Sequence, residues 1–283
     1  MKKLLHLIRF SNLLIIGITL LLLRFVSSSV HSDLSLFLVI LVGTILIAAA
    51  GNIINDIMDL EIDLINKPQD IVIGKQITKK TAWSLYLCFN LIALCMIVWA
   101  GDIVLCCVFM AAIVLLIFYS LKLKKLAIYG NFTVALLCSW VVLEWLWIEY
   151  IYLSDYWITI ILMYALFAFI TTFGRELIKD IEDLEGDKKM GCRTFPVVAG
   201  EKFSKIVVIS SFSILIVLLI IESYWFYLNN KIAAFAYLCT LLFLPICCIN
   251  YYLITANQKS DYSILSKWTK NYMILGLGML LFV

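Results

Sequence analysis

The chain has 283 residues, of which 64% are apolar and 14% charged, with a mean hydropathy of +1.04. Soluble domains carry about a quarter charged residues, so this composition excludes one. The net charge of +3 is small and no basic cluster is interleaved with base-stacking aromatics, which excludes nucleic acid as a partner.

A helix needs roughly 20 apolar residues to cross about 30 Å of hydrocarbon. Nine runs meet that requirement, at approximately 11–30, 34–56, 81–100, 103–121, 128–148, 157–179, 204–222, 232–254 and 264–283. The expected fold class is therefore all-α, a polytopic membrane protein, organised as a single domain over residues 1–283. The first run lacks a small-residue cleavage site and is expected to be retained as a span. Of the 22 Lys and Arg, 20 fall at the N-terminus or in the loops after the second, fourth, sixth and eighth runs, including the flanks of those loops, and only Arg24 and Lys231 fall elsewhere. By the positive-inside rule those loops and the N-terminus are expected in the cytoplasm, with the C-terminus outside.

Taken in chain order, Arg9 and Asn12 share one face at the start of the first span. The second span ends in Ala48-Ala49-Ala50-Gly51, small residues that let a neighbouring backbone approach closely. It runs directly into Asn52, Asn55 and the stretch Asp56-Ile57-Met58-Asp59-Leu60-Glu61-Ile62-Asp63. A loop over 64–80, punctuated by Pro68 and Gly74, has the length of a lid or binding segment. After the fourth span come Lys122, Lys124 and Lys125, and Gly130-Asn131 opens the fifth, which ends in Glu144, Trp145, Trp147, Glu149 and Tyr150, expected as an outer aromatic belt. The sixth span leads through Arg175, Glu176 and Lys179 into Asp180-Ile181-Glu182-Asp183-Leu184-Glu185-Gly186-Asp187. This second stretch matches the first at six of eight places, giving a shared D-I-x-D-L-E-x-D. The cysteines, mostly inside apolar runs and without a CxxC pair, are expected to be small core residues.

Residues four apart share a helix face, so on continuous helices Asn55, Asp59 and Asp63 form one column and Lys179, Asp183 and Asp187 another. Asp56 and Asp180 fall beside the columns, whereas Glu61 and Glu185 point away and are expected to be solvated. Two carboxylates about 6 Å apart repel by about 3 kcal/mol at an effective dielectric near 20, a cost that a cation offsets. Oxygen-only ligands without His or Cys suit Mg2+, which takes one or two carboxylates together with phosphate oxygens. The neighbouring lysines then call for an anion such as a diphosphate, and its place at the membrane edge implies a lipid tail. If that diphosphate is allylic, metal neutralisation of the leaving pyrophosphate lets the C–O bond ionise, and an acceptor captures the carbocation.

In these residues the chain resembles the UbiA superfamily of intramembrane prenyltransferases, over essentially its full length. The family's NxxxDxxxD appears as Asn55-Asp59-Asp63 and its DxxxD as Asp183-Asp187. Within the superfamily, Arg175 to Asp187 continuing to Pro196, and Ile65-Asn66-Lys67-Pro68, look most like the geranylgeranylglycerol-phosphate geranylgeranyltransferase branch. The resemblance implies about nine transmembrane helices around a central cavity with two Asp-rich cytoplasmic loops. It also implies Mg2+-dependent transfer of a geranylgeranyl group from its diphosphate to the hydroxyl of a prenylated glycerol phosphate, with an aromatic quinone precursor or a haem as the alternative acceptor. By analogy Arg9, Lys67, Lys124, Lys179 and Arg193 contact the diphosphate, although Lys67 and Asp70 stand where the family commonly has Arg. Either Asp56 or Asp180 would serve as general base, and the sequence identifies no acceptor-binding residue. Two other classes fit less well. A CDP-alcohol phosphotransferase would need a DG-x-x-AR stretch that is absent. A transporter would hold its acids near the midplane on broken helices, whereas these acids cluster at one face and the spans read as continuous.

Overall fold

The computed structural model describes residues 2–27, 33–66, 68–69 and 71–283. Lys67, one of the expected diphosphate contacts, and Asp70 lie outside the described residues. The described chain is helical: α1 Lys2–Leu7, α2 Phe10–Val26, α3 Leu34–Met58, α4 Leu60–Asn66, α5 Lys79–Ala100, α6 Ile103–Leu121, α7 Tyr129–Glu149, α8 Asp155–Glu182, α9 Leu184–Lys189, α10 Phe195–Ala199, α11 Glu201–Leu228, α12 Ile232–Tyr237, α13 Leu244–Thr255 and α14 Lys259–Met279. Among the described residues seven helical segments are long and apolar enough to cross a membrane: α3, α5, α6, α7 with its 3-10 extension, α8, α11, and α12 joined to α13. To these add α2, apolar but only 17 residues long. The ninth expected run corresponds to α14, which carries Lys259, Asp261, Lys267 and Lys270 and is not among the seven.

Helix ends inside or beside a bilayer need partners for amides that lipid cannot satisfy. Polar residues at the span starts supply them. Asp102 accepts from the Val104 and Leu105 amides at 2.9 and 3.0 Å. Thr78 accepts from the Thr81 amide at 3.1 Å, and Ser154 caps α8 through the Trp157 amide at 3.4 Å. Between α5 and α6 the chain reverses at Gly101, whose φ of +76° is open to glycine without strain.

Contacts group into two units, Met1–Leu21 with Ser29–Lys125, and Leu22–Ser28 with Leu126–Val283. In the first unit α3 is the most buried span and packs chiefly on α5 and α6. A core of Leu7, Ala50, Ile53, Ile54, Ile57, Ala82 and Tyr86 is joined by Val72 and Ile73 of the segment between α4 and α5, which is shorter at both ends than the loop expected over 64–80. Gly51 meets Leu116 of α6 so closely that a Cβ would stand 2.9 Å from its Cδ2, which is the close approach the small residues ending this span imply. In the second unit α8 is central, packed on α7, α11 and α14.

Three expectations are corrected. The cysteines do not form a core: Cys88, Cys95, Cys107 and Cys248 are exposed on their spans, and among the described residues the buried one is Cys192, outside the runs. A thiol costs little against hydrocarbon, so lipid-facing positions tolerate it. Trp147 and Tyr150 are exposed as a belt requires, but Glu144, Trp145 and Glu149 are buried, with the Trp145 indole donating to Ser27 Oγ at 3.3 Å. Nor are the spans all continuous. The eighth passes through a π-helical segment, Leu238–Phe243, just before Pro245, a residue that cannot donate to the helical ladder.

Candidate active site

Both copies of the repeat fold with the same local break. Helix α3 ends at Met58, Asp59 takes φ −93° and ψ 1°, and α4 begins at Leu60. Helix α8 ends at Glu182, Asp183 takes φ −95° and ψ 5°, and α9 begins at Leu184. The expected continuous helices are thus corrected to bends at the fourth residue of each copy, where aspartate is a poor interior helix residue and ψ near 0° is open to it. The i to i−4 ladder nevertheless bridges each bend. The Asp59 amide donates to the Asn55 carbonyl at 2.9 Å and Asp63 to Asp59 at 2.8 Å, while Asp183 donates to Lys179 at 2.9 Å and Asp187 to Asp183 at 3.0 Å. The register of each column survives the break.

In the first unit the structure gathers five of the expected residues. Between α1 and α2, Arg9 adopts φ +52°, a left-handed turn rare outside glycine. From there its Nη2 donates to Asp56 Oδ1 at 2.9 Å. Asn52 of α3 donates to the Ile8 carbonyl at 3.0 Å and so holds the same turn. Lys124 arrives from a 3-10 turn, Leu123–Lys125, after α6. Its ammonium donates to Asn55 Oδ1 at 3.2 Å and forms an ion pair with Asp59. Burial pushes the Lys124 pKa below the ordinary lysine value, and the Asp59 carboxylate works against that shift. Asp63 is half-buried one turn further along α4, and Glu61 is exposed, as its face requires.

The second unit treats its repeat differently. Asn131, on the first turn of α7, donates from Nδ2 to Asp180 Oδ2 at 2.7 Å. Asp187, 6% exposed, accepts from the Thr194 hydroxyl at 2.9 Å, and its carbonyl accepts from the Cys192 amide at 2.9 Å. Thr194 is placed for this by the start of α10, where Pro196 in the first turn needs no amide partner. Lys179 turns to Glu176, donating to Oε2 at 2.9 Å, and Arg175 donates to Oε1 of the same buried carboxylate at 2.9 Å. Arg193 is exposed, its backbone bridged to Leu126, and Glu185 is exposed as well. Asn131, Glu176 and Thr194 were not singled out as site residues from sequence. For Glu176 the signal was present, an acid three residues before Lys179 on one helix face.

Among the described residues no three His, Cys, Asp or Glu side chains converge as a ready metal cage. The donors fit Mg2+ in another way. Asn55 and Asp59 offer hard oxygens only, and the Lys124 ammonium against both shows that a cation is accommodated there. Magnesium completes such partial sets with water and substrate phosphate.

Residues 16–271 match the model of the UbiA prenyltransferase family. A digeranylgeranylglyceryl phosphate synthase from Methanobrevibacter smithii is 32% identical over 214 residues, covering 74% of each chain. A solved structure described as giving structural and mechanistic insights into digeranylgeranylglyceryl phosphate synthase in membranes is 25% identical, with a TM-score of 0.71, covering 99% of this chain and 96% of that one. A UbiA homologue from Archaeoglobus fulgidus bound to GPP and Mg2+ shares the fold, with a TM-score of 0.66 at 16% identity over 98% of this chain and 99% of that one. This chain belongs to the UbiA prenyltransferase family and is an integral, multi-pass membrane enzyme. Relatives with a more particular name include synthases of digeranylgeranylglyceryl phosphate.

Proposed function

We propose that this protein, acting as one prenyltransferase domain over residues 1–283, transfers a geranylgeranyl group to the free hydroxyl of geranylgeranylglyceryl phosphate. The bond between the prenyl C1 and the diphosphate oxygen breaks, the bond between C1 and the acceptor oxygen forms, and pyrophosphate and one proton leave. The observation that carries this reading is the repeated Asp-rich bend with its cationic neighbours, in a chain similar along 74% of its length to a synthase named for that product.

Asn55, Asp59 and Asp63 in the first repeat, and Asp183 and Asp187 in the second, are the residues that would hold Mg2+. When bound, the ion neutralises the leaving pyrophosphate. Arg9, Lys124, Lys179 and Arg193, with Lys67, bind and orient the diphosphate oxygens through charge-assisted hydrogen bonds. Asp180 suits the role of base better than Asp56. The Asn131 amide engages only Oδ2 of Asp180 and leaves Oδ1 to take the acceptor's proton, whereas Asp56 carries the Arg9 guanidinium. Asp56 then orients Arg9. The lysine and arginine distribution supports a cytoplasmic N-terminus and repeats, with the C-terminus outside.

The test is transfer by purified protein from labelled geranylgeranyl diphosphate to geranylgeranylglyceryl phosphate and to aromatic acceptors in parallel. Product with the glycerol phosphate and none with the aromatics is the expected result. Product with an aromatic acceptor alone would replace the acceptor, and no pyrophosphate release with any acceptor would end the reading.

A further inference from the structure

The first repeat already holds a cation of its own. Lys124 Nζ lies 3.2 Å from Asn55 Oδ1 and is paired with Asp59, and these side chains are only 10% and 16% exposed. The turn that carries it is fixed at both ends, the Lys122 amide donating to Phe118 at 2.9 Å and the Lys125 amide to Lys122 at 3.1 Å, so the ammonium is delivered from an anchored backbone. In the second repeat Asp180 accepts from Asn131 and Asp187 from Thr194, and Lys179 donates to Glu176.

A divalent ion and an ammonium compete for Asn55 Oδ1 and the Asp59 carboxylate, because at equal separation a divalent and a monovalent cation repel twice as strongly as the ammonium is attracted to one carboxylate. Metal arrival must displace Lys124, and a displaced ammonium in a half-buried site is costly unless an anion receives it. A diphosphate supplies that anion. We propose that Lys124 is the internal counter-ion of the first repeat, and that a divalent cation binds at Asn55 and Asp59 only together with a diphosphate that takes over the ammonium. The inference rests on the reading of Asn55 and Asp59 as metal ligands. It assigns Lys124 the control of binding order: the first-repeat ion enters with the substrate, and release of pyrophosphate returns Lys124 to Asp59.

The experiment measures Mn2+ binding by the loss of its free electron-paramagnetic signal, using full-length protein in nanodiscs, with and without the unreactive geranylgeranyl thiolodiphosphate. Binding elsewhere in the chain is read from Asp59→Asn and subtracted. Wild type is expected to bind Mn2+ weakly at this site alone and at least about tenfold more tightly with the thiolodiphosphate. Lys124→Met should bind Mn2+ alone at least about tenfold more tightly than wild type, and Lys124→Arg, which keeps the charge, should stay weak. The Arg variant also guards against a fold lost through substitution. Equal affinity of wild type and Lys124→Met for Mn2+ alone overturns the inference while leaving the metal-ligand reading intact. Absence of any Asp59-dependent Mn2+ binding, even with the thiolodiphosphate, removes the reading and the inference with it.

Discussion

Asp59 and Asp183 show how one residue type does two jobs. Each ends a span with ψ near 0°, and each presents a carboxylate at the bend. Replacing Asp59, Asp63, Asp183 or Asp187 by Ala is expected to lower transfer by roughly a hundredfold or more, the scale of losing charge stabilisation at a leaving group. Glu61→Gln and Glu185→Gln, at exposed positions, should stay within about twofold of wild type. Comparable losses in all six variants, measured as product per minute, would show that the faces are misassigned. A base at Asp180 has its own signature. Asp180→Asn is expected to lower kcat by roughly a hundredfold with little change in KM for the diphosphate, because a general base acts on the acceptor proton in the transition state. A rise in KM with kcat unchanged would instead make Asp180 a binding residue.

Between elements, the spans approach through glycine. A Cβ on Gly174 of α8 would collide with the Phe212 ring of α11, and one on Gly276 of α14 with the Phe167 ring of α8. Overpacking of this kind costs about 1–3 kcal/mol or more. Gly174→Leu is therefore expected to lower the thermal midpoint of the detergent-solubilised protein, and adding Phe212→Ala should restore part of the loss, since the two changes share one space. Additive losses would place the cause elsewhere. The bends are also properties of elements. The identity of the repeats was legible in the sequence, and so was the i, i+4 register, because both are local. The bends were not, since the Leu and Glu that follow each aspartate read equally well as continuing helix.

For the whole molecule, the distribution of Lys and Arg predicts that both repeats face the cytoplasm. Glu185→Cys should react with a membrane-impermeant thiol reagent in inverted vesicles and not in right-side-out ones, above the background of the native cysteines. The reverse pattern would invert the topology. The chain's apolar runs by themselves determined membrane class, span order and the candidate ligands, because hydropathy over about 20 residues and spacing by four are written in neighbouring positions. Which groups meet was decided only by tertiary packing: Arg9 with Asp56 across 47 residues, Lys124 with Asn55 across 69, and Asn131 with Asp180 across 49. Such pairings depend on how the helices stack, and a charged side chain at a membrane edge must find a partner without its sequence neighbours indicating which one.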